Sequence, residues 1–256
     1  MERVESLERL RELTARGRPV MSNCYRMLRD FEAAIAAGRL YACPQEGALL
    51  LMEEWPDVFQ VYASIYDAAA PCALPQASKP LLVEVVARSQ DARGAEQIQY
   101  WRRAGFVLAR TRCLLEQTKP PVGGPQSSVR VSAPDDRLLA EATTLFRTGL
   151  DRLTVRLPYA LESGHVLCAL NGEGKLMGAL HFSLANGVGM LEHLAVWPAY
   201  RRNGAASALM AAWIRQTDAV KRRLWVIDDN LPARALYAKW GFTDAARRCA
   251  SLLYPY

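Results

Sequence analysis

The chain has little of what marks a metal protein or a disulfide scaffold. It holds three histidines, and its six cysteines (Cys24, Cys43, Cys72, Cys113, Cys168 and Cys249) are scattered without a C-x-x-C pair. That scatter argues against a zinc site and against a disulfide framework, and it fits a reducing, cytoplasmic setting. No apolar run nears the roughly 20 residues that cross a bilayer, so no membrane partner is expected. The opening MERVESLERLRELTARGRP has no continuous apolar stretch and is not read as a secretory signal. Its Val4, Leu7, Leu10 and Leu13 suit a short amphipathic helix instead. Charge of one sign is not strongly in excess: 32 Lys and Arg stand against 26 Asp and Glu, a net charge of +6. The basic residues are dispersed, which argues for a solvated surface and against nucleic acid as a partner.

What is present is ordinary globular material, 51% hydrophobic and 23% charged. The length of 256 residues suits two domains of about 100–150 residues each. Thr118-Lys119-Pro120-Pro121-Val122-Gly123-Gly124-Pro125-Gln126-Ser127 cannot continue a helix or a central strand and reads as a linker. It separates a domain over 1–117 from one over 128–256. The two sides echo each other. Gln97 to Phe106 and Ala233 to Phe242 both read as a helix closed by Gly-Phe. Each follows an apolar, strand-like run, Leu81 to Val86 and Leu224 to Ile227.

Strands are expected in the right half at Ser128–Ser132, Val166–Leu170, Leu176–Leu184, Gly189–Val196, Leu224–Ile227 and Ala246–Leu253. Helices are expected at Ala133–Gly149, Gly204–Thr217 and Leu231–Trp240. The turn Asn171-Gly172-Glu173-Gly174 makes a hairpin of the second and third strands. In the left half, Ser22–Ala37 reads as a helix. Ala48–Glu53 and Val58–Ile65 read as a strand pair, and a strand follows from Val107 to Leu115. A mixed α/β sheet with helices packed on it follows.

The chemistry is concentrated in Leu194-Ala195-Val196-Trp197-Pro198-Ala199-Tyr200-Arg201-Arg202-Asn203-Gly204-Ala205-Ala206-Ser207. An apolar strand ends, a proline turn follows, and Arg201-x-x-Gly204-x-Ala206 leads straight into a helix. The first turn of a helix has amides without intrahelical partners and the positive end of the macrodipole, which together capture anions. Gly204, Ala205 and Ala206 let a pyrophosphate approach the backbone, and Arg201 and Arg202 add charge at the rim.

This region resembles the GNAT superfamily of acyl-CoA-dependent N-acyltransferases, at the strand-to-helix pyrophosphate loop. A second segment, Asn230-x-x-Ala233-x-x-x-Tyr237-x-x-x-Gly241-Phe242, agrees in order and spacing. The resemblance covers roughly residues 128–256. It implies two GNAT-like domains, each a mixed, mostly antiparallel sheet with a splayed central strand pair flanked by helices. It implies that the backbone of Leu194, Ala195 and Val196 hydrogen-bonds the pantetheine arm, that amides from Arg202 through Asn203, Gly204, Ala205 and Ala206 to Ser207 hold the pyrophosphate, and that Asn230 contacts pantetheine. Tyr237 would protonate the leaving thiolate. Acetyl-CoA is the implied cosubstrate, with no metal.

Physical reading of the residues leaves some roles open. Asn230 precedes Leu231-Pro232 and is a natural helix N-cap, a role compatible with ligand contact. Tyr237, two helical turns beyond it, shares its face and is either an acid or a core aromatic. Trp240 and Phe242 read as core. Glu192 shares a strand face with Leu194 and Val196, near the expected acyl group, and is either a general base or a half-exposed carboxylate. His193 faces the other way and reads as structural; His181 and His165 are further candidate bases.

The left half lacks these groups. Matching Phe106 to Phe242 puts Gly94 at Asn230, Gln97 at Ala233 and Trp101 at Tyr237. Tyr66 to Pro80 contains Pro71, Pro75 and Pro80 and no pyrophosphate loop. A degenerate domain forming one wall of the acceptor site is expected, with one CoA per chain. The leading reading is acetyl transfer from acetyl-CoA to a primary amine of a small molecule or peptide, by a monomer or homodimer. The alternative is a non-catalytic acyl-CoA-binding regulatory module.

Overall fold

A computed structural model describes residues 1–69, 71–119, 128–150 and 161–254. Most of the expected linker, 120–127, lies outside the described residues. The chain forms two compact units, Met1–Thr111 with Arg248–Tyr256, and Arg112–Arg247. The second unit thus excludes the end of the chain, which the division at 118–127 had assigned to the right half. Residues 248–254 instead bring Ala250 and Leu252 into the first unit's core.

The first unit contains β1 (Glu2–Arg3), α1 (Leu7–Thr14), β2 (Met21–Ser22), α2 (Glu32–Ala36), β3 (Leu40–Pro44), β4 (Ala48–Glu54), β5 (Phe59–Ile65), β6 (Leu81–Arg88) and α3 (Ala92–Arg103). β7 (Val107–Gln117) begins in it. Neighbouring strands from β1 through β3 and β4 to β5 run antiparallel, and β5 pairs β6 in parallel. The expected helix at the N-terminus forms because Ser6 caps it, accepting from the Arg9 amide at 3.0 Å, while Leu10 and Leu13 turn into a cluster with Val4.

The expected helix over Ser22–Ala37 is corrected. Its first part is strand β2 and irregular chain, and only a 3-10 turn at Leu28–Phe31 and α2 are helical. The Asn23 side chain bonds to backbone groups of β5 and β6, and these long-range bonds outcompete local helix propensity.

The second unit contains the end of β7, then β8 (Arg130–Ser132), α4 (Asp136–Gly149), β9 (Val166–Leu170), β10 (Leu176–Ala185), β11 (Val188–Val196), α5 (Ala205–Gln216), β12 (Lys221–Ile227), α6 (Leu231–Lys239) and the start of β13 (Thr243–Tyr254). β8, β9, β10 and β11 pair antiparallel in sequence, β11 pairs β12 in parallel, and β12 pairs β7 antiparallel. Each unit is therefore a mixed, mostly antiparallel α/β sheet with one parallel pair. The hairpin turn is set by Asn171, whose Oδ1 accepts from the Glu173 and Lys175 amides, and by Gly174 at φ +78°.

The repeated helix closure is real in both units. Gly105 and Gly241 are left-handed, at φ +94° and +77°. The Phe106 amide then donates to the Trp101 carbonyl at 3.0 Å, and Phe242 to Tyr237 at 3.1 Å. The second unit's main cluster joins Leu209 and Trp213 of α5 to Leu224 and Val226 of β12 and to Tyr237 and Trp240 of α6. A smaller cluster packs Leu138, Ala142, Leu145 and Phe146 of α4 on the other face, against β9 and β10.

Candidate active site

The site is built where β11 and β12 part. Their parallel ladder runs from Val188↔Lys221 to Leu191↔Leu224 and stops. Beyond it β11 follows β10, with Leu194↔Leu180 and Val196↔Gly178, while β12 follows β7. Gly178 permits the close approach on the β10 side, since a Cβ there would stand 2.7 Å from the Ala195 carbonyl. The strands leave a gap, and the gap opens into a cleft of ≈ 880 Å³.

The end of α5 faces this cleft. Trp197 and Pro198 start a short 3-10 turn, and the chain then takes left-handed conformations at Arg202 (φ +67°) and Gly204 (φ +81°). Gly204 is the N-cap of α5, and the first intrahelical bond is Ala208 N–H to the Gly204 carbonyl at 2.9 Å. The amides of Ala205, Ala206 and Ser207 therefore have no partner within the helix. Leu194, Val196, Arg201, Arg202, Gly204, Ala205, Ala206 and Ser207 all line the cleft. Arg201 Nε also reaches back to the Val196 carbonyl at 3.4 Å. Ala195 packs with the α4 cluster on the opposite face, and Asn203 is exposed.

The second wall comes from α6. Asn230 is its N-cap, its Oδ1 accepting from the Ala233 amide at 3.2 Å, and the same residue lines the cleft. The capping and ligand-facing positions are thus compatible in one side chain. Tyr237 follows two turns on. It is 7% exposed, packs edge to face on Phe242, and borders the cleft. Burial pushes its phenol well above the ordinary tyrosine range, so it is protonated at neutral pH. Tyr200 and Lys239 also line the cleft, and sequence reading missed both. Lys239 lies seven residues beyond Pro232, the same two-turn spacing that relates Tyr237 to Asn230, and that spacing was the available signal.

Glu192 does not share the strand face of Leu194 and Val196 that the alternation assigned to it. His181 pairs with His193 and Phe182 with Leu191, so β11 carries one extra residue between these rungs. This β-bulge cancels the alternation that would have put Glu192 on the face of Leu194 and Val196. Glu192 is exposed, is not a wall of the cleft, and accepts a 2.7 Å hydrogen bond from the Ser183 hydroxyl. His193 faces α4 as expected, 5.6 Å from the Phe146 ring, and stacks on His181 at 5.3 Å. Burial, with a smaller contribution from His165, lowers the His181 pKa to about 4, so its ring is neutral at pH 7. His165 bonds Glu162 through Nδ1 at 3.2 Å.

Among the described residues, no group of three or more His, Cys, Asp or Glu could hold a metal ion. No helix among them is long and apolar enough to cross a membrane.

Residues 136–242 match the acetyltransferase (GNAT) family. The fold is shared with solved structures of proteins described as GNAT acetyltransferases. A GCN5-related N-acetyltransferase from Kribbella flavida superposes with TM-score 0.57 at 12% identity, over 91% of this chain and 97% of that one. One from Sphaerobacter thermophilus gives TM-score 0.55 at 15% identity, over 89% and 84%. A tandem GNAT protein from the clavulanic acid biosynthesis pathway gives TM-score 0.54 at 12% identity, over 97% and 93%. Among curated proteins, none matches the chain. Family and fold together support an acyltransferase, in a family that generally uses acetyl-CoA.

Proposed function

We propose that the chain transfers an acetyl group from acetyl-CoA to a primary amine of a small molecule or peptide, by direct attack on the thioester. The observation that carries this reading is the left-handed Gly204 cap, which opens the α5 N-terminus into the cleft at the parting of β11 and β12. Acetyl-CoA supplies the activated acyl group. The amides from Arg202 through Asn203 and Gly204 to Ser207 hold the pyrophosphate, with Arg201 and Arg202 adding charge. Past the last rung of the ladder, the backbone of Leu194, Ala195 and Val196 offers a strand edge to the pantetheine arm. Asn230 contacts the same arm with its amide nitrogen while its oxygen caps α6.

Tyr237 donates a proton to the departing thiolate; burial keeps its phenol protonated at neutral pH, though it also makes that phenol a weaker donor than a free tyrosine. Glu192, outside the cleft and oriented by Ser183, receives the proton of the acceptor ammonium through water. A cytoplasmic location belongs to the same reading and rests on the six free cysteines.

The displacement of Glu192 from the cleft favours one alternative, a module that binds acyl-CoA without turnover. Calorimetric titration with acetyl-CoA, followed by an amine-library screen that detects released thiol, separates the two. Binding with turnover supports the enzyme, binding without turnover on any amine supports the module, and no binding removes both.

A further inference from the structure

The first unit repeats the parting of strands, and there the gap is filled from within. Its parallel ladder runs Phe59↔Leu81, Gln60↔Leu82, Val61↔Val83 and stops. Just past it, β2 lies antiparallel along β5, with Met21↔Ile65 and Ser22↔Ser64. The Val20 amide donates to Ile65 at 2.9 Å and the Asn23 amide to Ala63 at 3.2 Å. The buried Asn23 side chain then bridges the parted strands. Its Nδ2 donates to the Val61 carbonyl at 2.9 Å and the Glu84 carbonyl at 3.3 Å, and its Oδ1 accepts from the Ala63 amide at 2.7 Å.

We infer that Val20–Asn23 is a built-in strand occupying the first unit's counterpart of the cofactor groove, which leaves the second unit as the acyl-CoA site of the chain. The comparison of grooves rests on the cofactor reading proposed above; the occupancy itself does not.

The helix that follows the gap takes part. Gln97 Nε2 of α3 donates to the Ser22 carbonyl at 3.2 Å, and Gln97 is the residue matched to Ala233, a wall of the second unit's cleft. Backbone groups at parted strands must find partners when buried. Here a tethered segment supplies them, at an effective concentration of millimolar order or above, which a free pantetheine arm cannot match in dilute solution. The segment Tyr66–Pro80, in place of a pyrophosphate loop, has no helix among its described residues, and its Cys72 amide is tied to the Tyr100 hydroxyl at 2.9 Å.

Amide exchange on the full chain, read by mass spectrometry and NMR, is the test. Without ligand, the Ala63 amide is expected to be strongly protected. Asn23→Ala is expected to speed its exchange at least ~10-fold and to lower Tm by roughly 5 °C, as loss of buried hydrogen bonds requires. Should that variant fail to fold, Gln97→Ala removes only the bond to Ser22 and is expected to speed exchange at residues 20–23 with Tm nearly unchanged. Acetyl-CoA and free pantetheine are then titrated into wild type. Protection confined to the second unit, at one equivalent, supports the inference. An Ala63 amide exchanging like an exposed one, variants that leave exchange unchanged, slowed exchange at 59–65 or 81–88 on adding either probe, or two equivalents bound would overturn it. If acetyl-CoA binds nowhere, the cofactor reading fails, while the Asn23-dependent protection of Ala63 still decides the occupancy.

Discussion

Tyr237 meets Phe242 edge to face, with ring centroids 6.0 Å apart, and the same residue borders the cleft. Packing therefore resides in the ring and the proposed chemistry in the hydroxyl. Tyr237→Phe separates them. Positioned acid catalysis contributes on the order of 10²–10⁴-fold, and water can replace part of it. The expected result is a kcat at least ~10-fold lower, with the acetyl-CoA Kd and Tm unchanged. A kcat within about twofold of wild type would make Tyr237 a packing residue.

Gly204 is left-handed, so a side chain there is strained as well as obstructive. Gly204→Glu is expected to abolish acetyl-CoA binding in calorimetry by placing a carboxylate at the anion position, and to lower Tm slightly. Ala206→Glu sits within α5 without that backbone strain, and is expected to weaken binding at least ~100-fold with Tm preserved. Wild-type affinity in both folded variants would remove the pyrophosphate from this loop.

The Ser183 hydroxyl can donate to a glutamine as well as to a glutamate at position 192. Glu192→Gln therefore keeps the local bond and removes only the charge. The expectation is a fall of roughly 10–100-fold in kcat/KM at pH 7, with the acetyl-CoA Kd unaffected. An unchanged pH–rate profile in this variant would show that the ammonium loses its proton directly to solvent.

His181 makes stability depend on pH. Burial holds its pKa at about 4 in the folded chain, against 6.5 ordinarily. Between these values the unfolded chain takes up a proton that the folded chain refuses. Its contribution to stability is thus present above pH ~6.5 and lost as pH falls toward ~4. Thermal melts are expected to show Tm falling across that window, and His181→Gln is expected to flatten the fall. Parallel curves for the two proteins would mean that His181 does not carry the effect.

The parts of the site written in contiguous sequence were legible. The strand–Pro–Arg–Gly–helix run gave the α5 N-terminus, and Asn230-Leu231-Pro232 gave the α6 cap, because caps and turns are decided by a few neighbouring residues. Glu192 was misplaced for a physical reason. Side-chain facing in a strand depends on register with the partner, and one extra residue opposite His181 and Phe182 reverses it without any local signature. The segment from Ser22 was misread as a helix because Asn23 is fixed by carbonyls and an amide 38 to 61 residues away in sequence, as is usual for a buried side chain that bridges strands. Strand β3 was missed as well: Leu40–Pro44 is short and ends in proline, and it is fixed by pairing with β4.

The path of β13 bears on the order in which the protein can be completed on the ribosome. Residues 112–247 form one compact unit from a continuous stretch, whereas Met1–Thr111 waits for Arg248 onward to fill its core with Ala250 and Leu252. Domains usually mature from the N-terminus as synthesis proceeds at about 5–20 residues per second. Here the order in which the residues become available is inverted. The first half to emerge receives Ala250 and Leu252 only after the second has been made, roughly ten seconds later, and the unit bearing the cleft is the first whose full complement of residues is available.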